Sequence, residues 1–182
     1  MPVALYFTND QQACELLAAD PFALLVGFAI DQQVTVQKAF EGPYVLKNRI
    51  GTLDPKKLAK LDLEDAFREK PAIHRFPGAM AKRVQELAAV VTEDYAGDAS
   101  KIWTEAKDAA DLKQRLESLP GFGEMKVRTI SAVLAKQFGV KAAEPLAPNH
   151  MSLGDVTSPE FLLEYQAKKA AKKAAMRAAA KN

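Results

Sequence analysis

The stretch LPGFGEMKV, residues 119–127, combines residue types that bind an anion through the backbone. Pro120 ends one helical segment, and Gly121 and Gly123 permit backbone conformations with positive φ and the close approach of another backbone. The turn exposes N–H groups at the start of the next helical segment, where unpaired donors and the helix dipole favour a phosphate. Taken alone, so short a motif is more often only a tight connection between antiparallel helices.

Other chemistry is restricted by what the chain contains. Its one cysteine, Cys14, and two histidines, His74 and His150, do not support an intramolecular disulfide or a cluster of thiolate ligands. The hairpin also lacks the third glycine and the preceding strand of a dinucleotide-binding fingerprint. We therefore expect no cofactor: neither a nucleotide, nor an iron–sulfur cluster, nor a metal ion held by side chains.

The charge of the chain is unevenly distributed. It has 25 basic and 23 acidic residues, but every charged side chain after Glu164 is basic. These residues are Lys168, Lys169, Lys172, Lys173, Arg177 and Lys181. A last helix is expected to start at Thr157 or Ser158, and the chain after Tyr165 is expected to be a frayed helix or disordered. Such a basic tail on an acidic body is either a solvated helix end or a segment that contacts a polyanion in a salt-sensitive way.

Helical signals recur throughout, and we predict an all-α fold. Only VALYF, residues 3–7, alternates enough to form a short strand. At 182 residues, with 48% hydrophobic content, the chain is long enough to bury one sizeable core. Its longest apolar run, residues 22–30, is too short to span a bilayer, and the N-terminus lacks a signal-sequence pattern. We therefore expect a cytoplasmic, monomeric protein without membrane contact.

Capping signals place the first helices. Thr8 and Gln11 have capping-box spacing, and Asp20 with Pro21 starts the segment PFALLVGFAIDQQ. This second helix is apolar almost all round, so it belongs at the centre of the fold, and its polar end, residues 31–33, must emerge at a defined place.

Later boundaries are predicted from breakers and periodicity. The tripeptide EGP, residues 41–43, and Gly51 are expected to break the next segment into short helices. A longer amphipathic helix is predicted over residues 78–95, and two helices flank the hairpin over residues 109–138. Residues 140–149 indicate irregular chain.

Three stretches together carry a family resemblance. LESLPGFGEMKVRTISAVLAKQFG resembles the helix-hairpin-helix element of the HhH-GPD family of base-excision DNA glycosylases, although Val127 replaces the family's small residue. DPFALLVGFAIDQQVTV is similar to the early core helix of that family, and HRFPGAMAKRVQELA stands where the family has the loop and helix before its hairpin. The matches keep the family order and spacing. The resemblance implies a two-lobed all-α fold, with a six-helix lobe at 21–134, a second lobe from 1–20 and 135–166, and a basic, flexible tail at 167–182.

The resemblance also implies double-stranded DNA as the partner. Backbone amides around Gly121 and Gly123 would hold phosphates of one strand, helped by Lys126 and Arg128. A step of one residue turns a helical side chain by about 100°, so Lys126 is expected to face phosphate rather than the base pocket. Many relatives hold a monovalent ion on backbone carbonyls of this hairpin, and the sequence leaves open whether this chain does so, because no side chain would report it.

Other contacts follow from the same resemblance. Gln33 would enter the DNA stack where a base has been extruded, since flipping costs a few kcal/mol and a planar amide can fill the gap. Arg75 would lie near the minor groove, and Phe76 would anchor its loop. Asp31 and Gln32 either line the base pocket or form a surface or capping cluster.

The catalytic groups of the family are only partly present. Met125 stands where bifunctional members have a lysine nucleophile, so a lyase reaction through that position is lost and only hydrolysis by water remains. The aspartate of the family, which stabilises positive charge on the sugar, is missing over residues 140–151. Asp155 is the best available carboxylate for this role. An aspartate at that place also fits a turn or cap. These residues predict a monofunctional DNA glycosylase. The alternatives are an inactive DNA-binding protein of the same fold and a helical protein-interaction domain.

Overall fold

The computed structural model describes residues 1–181 and is all-α over that range. It contains ten α-helices and two short 3₁₀ helices, and none of the described residues lies in a β-strand. The α-helices are α1 (Gln11–Ala19), α2 (Pro21–Ile30), α3 (Val36–Ile50), α4 (Pro55–Leu58), α5 (Glu64–Arg68), α6 (Pro77–Tyr95), α7 (Lys101–Thr104), α8 (Ala109–Glu117), α9 (Glu124–Phe138) and α10 (Pro159–Ala180); the 3₁₀ helices are Lys141–Leu146 and Leu153–Asp155. Within this range no single helix is long and apolar enough to cross a membrane, and only α1 and α2 together, bent by 114°, reach that length.

Helix α2 lies at the centre of the fold, as its composition predicts. The Asp20 carboxylate accepts hydrogen bonds from two backbone N–H groups of its first turn, and Pro21 is its first residue. Every later residue of α2 is buried. Helix α3 crosses it closely at Gly27, where a Cβ would come within 2.5 Å of the Phe40 ring. The polar residues that follow α2 are therefore held by a rigid, buried element.

The predicted strand over residues 3–7 does not form. Leu5 and Phe7 are fully buried, and the Leu5 N–H donates to the carbonyl oxygen of Cys14 on α1 at 2.9 Å. The alternating apolar residues pack on the helical core because the described chain offers no second strand to pair with.

Two helix boundaries also differ from the sequence expectations. Helix α1 is capped by Asp10 rather than Thr8, since the Asp10 carboxylate accepts a first-turn N–H at 2.8 Å. Helix α3 continues through Gly42 and Pro43 instead of breaking there. Both residues are buried, and a Cβ at Gly42 would come within 2.6 Å of Ile30 Cδ1. Packing against α2 thus outweighs the hydrogen bond that a proline removes from a helix.

The chain after α9 is more regular than expected. Lys141–Leu146 is a 3₁₀ helix, and the turn at Gly154 presses against α9, where a Cβ would come within 2.4 Å of the Ala132 carbonyl oxygen. Ser158 caps α10, which continues to Ala180 with every residue after 166 exposed. The buried residues of the described chain form one continuous core, to which both predicted lobes contribute residues.

Candidate functional site

The hairpin between α8 and α9 places its two glycines in different environments. Gly121 has a φ of 80°, which favours glycine, and a Cβ there would come within 2.6 Å of Arg83 Cδ. Gly123 has an ordinary φ of −87°, and a Cβ there would meet nothing within 4 Å. The fold therefore requires glycine at 121, whereas at 123 the missing side chain only leaves open space.

That open space lies at an uncapped helix end. Gly123 is the N-cap of α9, and no side chain accepts a hydrogen bond from the N–H groups of the first turn. Glu124 and Met125 in this turn are exposed, and Arg128 lies exposed one turn later. The two glycines precede the uncapped first turn of α9 and Arg128 follows it, and this turn carries the positive end of the helix dipole. Their contact with phosphate stays a prediction.

Lys126 does not extend from this surface. Its Nζ donates to the carbonyl oxygen of Ala29 in the last turn of α2, at 3.0 Å, and its side chain is half-buried. Burial, with the charge of Arg83 nearby, lowers the pKa of Lys126 to about 8. Its neighbour Met125 is 72% exposed. The amine that was expected to face a phosphate is therefore bonded within the protein, and its phosphate contact stays a prediction.

Arg83 on α6 is a second cation at the same end of α2. It donates to Gln32 Oε1 at 2.7 Å and to the Ala29 carbonyl oxygen at 3.3 Å, and its stem lies over Gly121. Cations at the carboxyl end of a helix interact favourably with its dipole. Sequence reasoning missed this residue, although Arg83 follows the buried Met80 by three positions and so lies on the same helix face.

His74 connects the polar end of α2 to the loop before α6. It is buried, its Nδ1 accepts from the Phe76 N–H at 3.0 Å, and its Nε2 lies 2.9 Å from the Gln32 carbonyl oxygen. Because Nδ1 accepts, the proton is on Nε2 and the ring is neutral, in keeping with burial lowering the pKa of His74. Gln33 is exposed with a φ of 57°, and Phe76 is 42% exposed beneath the Arg75 guanidinium, so His74 anchors the loop instead of Phe76.

No family model, curated protein or solved structure matches this chain.

Asp31, the residue directly after α2, has an unusual environment. It is half-buried, and nothing in the described part of the chain donates a hydrogen bond to its carboxylate or forms an ion pair with it. Burial raises the pKa of Asp31, while the charges of Lys169 and Lys126 oppose that shift. Tyr165 on α10 faces it, and burial together with the Asp31 charge raises the pKa of Tyr165 to about 12.

Asp155, by contrast, is fully engaged. Its carboxylate accepts from the Ser152 N–H at 2.8 Å and the Ser152 hydroxyl at 3.0 Å, and Lys136 Nζ lies 2.8 Å from both of its oxygens. Burial raises the pKa of Asp155, but the bonds from Lys136 and Ser152 outweigh burial and leave it below its usual value. Lys136 lies ten residues after Lys126, which is about 15 Å along α9. The structure therefore does not bring Asp155 to the cluster around Lys126.

Metal binding finds no support from side chains. Among residues 1–181, no three His, Cys, Asp or Glu side chains lie together in a way that could hold a metal ion. A monovalent ion on the hairpin carbonyls would be held by backbone atoms, so the arrangement of side chains does not bear on it.

Proposed function

We propose that this protein binds double-stranded DNA and acts as a monofunctional DNA glycosylase, with the hairpin and the two loops joined by His74 as its DNA-binding face. The single observation that carries the proposal is Gly123. The fold has no steric need for a glycine at this position, and the space that it leaves open lies at the uncapped start of α9. Backbone N–H groups in such a place suit a phosphate that approaches from outside.

The neighbouring loops supply groups that suit bases rather than phosphates. Gln33 and Phe76 are both exposed, and the hydrogen bonds of His74 hold their loops together. A planar amide can hydrogen-bond in the gap left by a flipped base, and an aromatic ring can stack on the bases beside it. Arg75, over the Phe76 ring, adds a cation to this surface.

The basic part of α10 suits contact with the DNA backbone. From residue 167 onward the helix is exposed on all sides and carries only basic charges. Such contacts are independent of base sequence and weaken as salt rises, because binding releases the counterions of the phosphates.

Removal of the base would proceed with water. Exposed Met125 cannot attack a sugar carbon, so a covalent route through that position is excluded. A second candidate function is DNA binding without catalysis. The engagement of Asp155 by Lys136 and Ser152 favours it, because that carboxylate already has a structural role.

The test uses the full chain and a panel of duplexes, each with one lesion: uracil, hypoxanthine, 8-oxoguanine, 3-methyladenine, or thymine opposite guanine. Hot alkali then cuts any abasic site. Cutting of one duplex establishes a glycosylase. Salt-sensitive duplex binding without any cutting establishes the second candidate, and the absence of duplex binding contradicts both.

A further inference from the structure

Asp31 combines two properties that a structural aspartate rarely has. It is half-buried, and in the described chain its carboxylate has neither a hydrogen-bond donor nor an ion-pair partner. A buried charge without a partner lowers stability, and such groups concentrate at functional sites. Asp20, at the other end of the same helix, is the ordinary case, since two backbone N–H groups donate to it.

The groups around Asp31 come from three other elements. Lys126 lies on α9, Lys169 and Tyr165 lie on α10, and His74 lies in the loop before α6. The positive charges of Lys126 and Lys169 favour the ionised carboxylate, yet none of the four groups bonds to it. The Lys126 amine instead donates to the Ala29 carbonyl oxygen, and both ring nitrogens of His74 have backbone partners. The carboxylate is thus ionisable and has no bonding partner within the described chain.

Asp31 lies a short distance from the proposed DNA-binding face. Asp31 precedes Gln33 by two residues, so their Cα atoms are at most about 7 Å apart. A nucleotide displaced by Gln33 would therefore have its sugar within reach of the Asp31 carboxylate. Asp155 lies at the far end of α9, beside Lys136.

We propose that Asp31, and not Asp155, is the catalytic carboxylate of this protein, facing C1′ of the extruded nucleotide. This inference rests on the proposed function. In the reaction, the C1′–N bond breaks and its electron pair leaves with the base, which takes a proton from solvent. The carboxylate stabilises the positive charge that develops on the sugar. A water molecule then bonds to C1′ and gives its proton to Asp31.

A binding measurement tests this inference without knowledge of the lesion. Two duplexes are compared, one with a neutral tetrahydrofuran abasic site and one with a cationic pyrrolidine in its place, which mimics the charge at C1′ in the transition state. The wild-type chain is expected to bind the pyrrolidine duplex about tenfold more tightly, as one close charge pair would give. Asp31→Asn should remove that preference, Asp31→Glu should retain part of it, and Asp155→Asn, the matched control, should leave it unchanged.

Asp31→Asn also removes a negative charge, which should strengthen the binding of both duplexes alike. The ratio of the two affinities is therefore compared, because this general effect of charge cancels in it. Thermal melting separates a structural role, since Asp31→Asn removes an unpaired charge and should not lower stability. If the wild-type chain binds both duplexes equally and Gly123→Ser weakens that binding, the role of Asp31 is overturned and the proposed DNA-binding face stands. A preference that persists in Asp31→Asn, or is lost in a stably folded Asp155→Asn, also overturns it. Failure of the wild-type chain to bind either duplex overturns both proposals.

Discussion

The Lys126 amine donates to the Ala29 carbonyl oxygen at 3.0 Å, and this bond joins the first turn of α9 to the last turn of α2. The two residues are 97 positions apart in the chain. The bond is compatible with only one rotation of α9, in which Lys126 points inward and Met125 is exposed. The hairpin, the end of α2 and Arg83 thus form one unit around a single carbonyl group.

Lys126→Met should change how stability depends on pH. The folded-state pKa of Lys126 is about 8 and its ordinary value is 10.5, so between these values the unfolded chain binds more protons. The wild-type melting temperature, measured relative to the variant, should therefore rise as pH increases from 7 to 10. Lys82→Met is the matched control because that side chain is 75% exposed, and it should show no such trend. If the difference in melting temperature between the wild type and Lys126→Met does not change with pH, burial of the charged amine is contradicted.

Gly123→Ser should affect stability and DNA binding in opposite directions. The serine hydroxyl can cap the first turn of α9, which should raise the free energy of unfolding by a few tenths of a kcal/mol. The same hydroxyl occupies the N–H groups that the proposal assigns to a phosphate, and its Cβ fills the open space. Duplex affinity should therefore fall while the melting temperature holds or rises. Equal affinity in the variant would remove Gly123 from the DNA-binding face.

Asp155→Asn should destabilise the chain at neutral pH by about 1 kcal/mol, since it weakens both the cap at Ser152 and the ion pair with Lys136. The folded-state pKa of Asp155 is below its usual value, so this stabilisation is present above that value and disappears as pH falls through the lowered pKa. Chemical denaturation at pH 7 and pH 3 measures the difference. A double-mutant cycle with Lys136→Met should show coupling at pH 7 that weakens as pH falls through the lowered pKa.

His74→Gln should make stability less sensitive to acid. Burial lowers the pKa of His74, so as pH falls below about 6.5 the unfolded chain gains a proton that the folded chain does not. The wild-type melting temperature should fall between pH 7 and pH 5, and the fall should be smaller in the variant. His150→Gln, at an exposed position, is the matched control. An equal fall in all three proteins would mean that His74 does not carry the effect.

Local signals explain where the sequence predictions were correct. The all-α class, the start of α2 at Asp20 and Pro21, and the start of α10 at Ser158 depend on contacts within a few residues, which the sequence spells out directly. Predictions failed where distant residues decide. Pro43 stays inside α3 because α3 packs tightly on α2, and residues 3–7 join a helical core for lack of a partner strand.

The sequence by itself determined the polar groups at the end of α2, the glycines of the hairpin and the basic tail. Only the tertiary structure decided which of these groups meet. The rotation of α9 brings Lys126 to Ala29, α10 brings Tyr165 and Lys169 to Asp31, and Asp155 is left beside Lys136. The physical reason is that helix rotation and crossing depend on the packing of the whole core, which no spacing along the chain encodes.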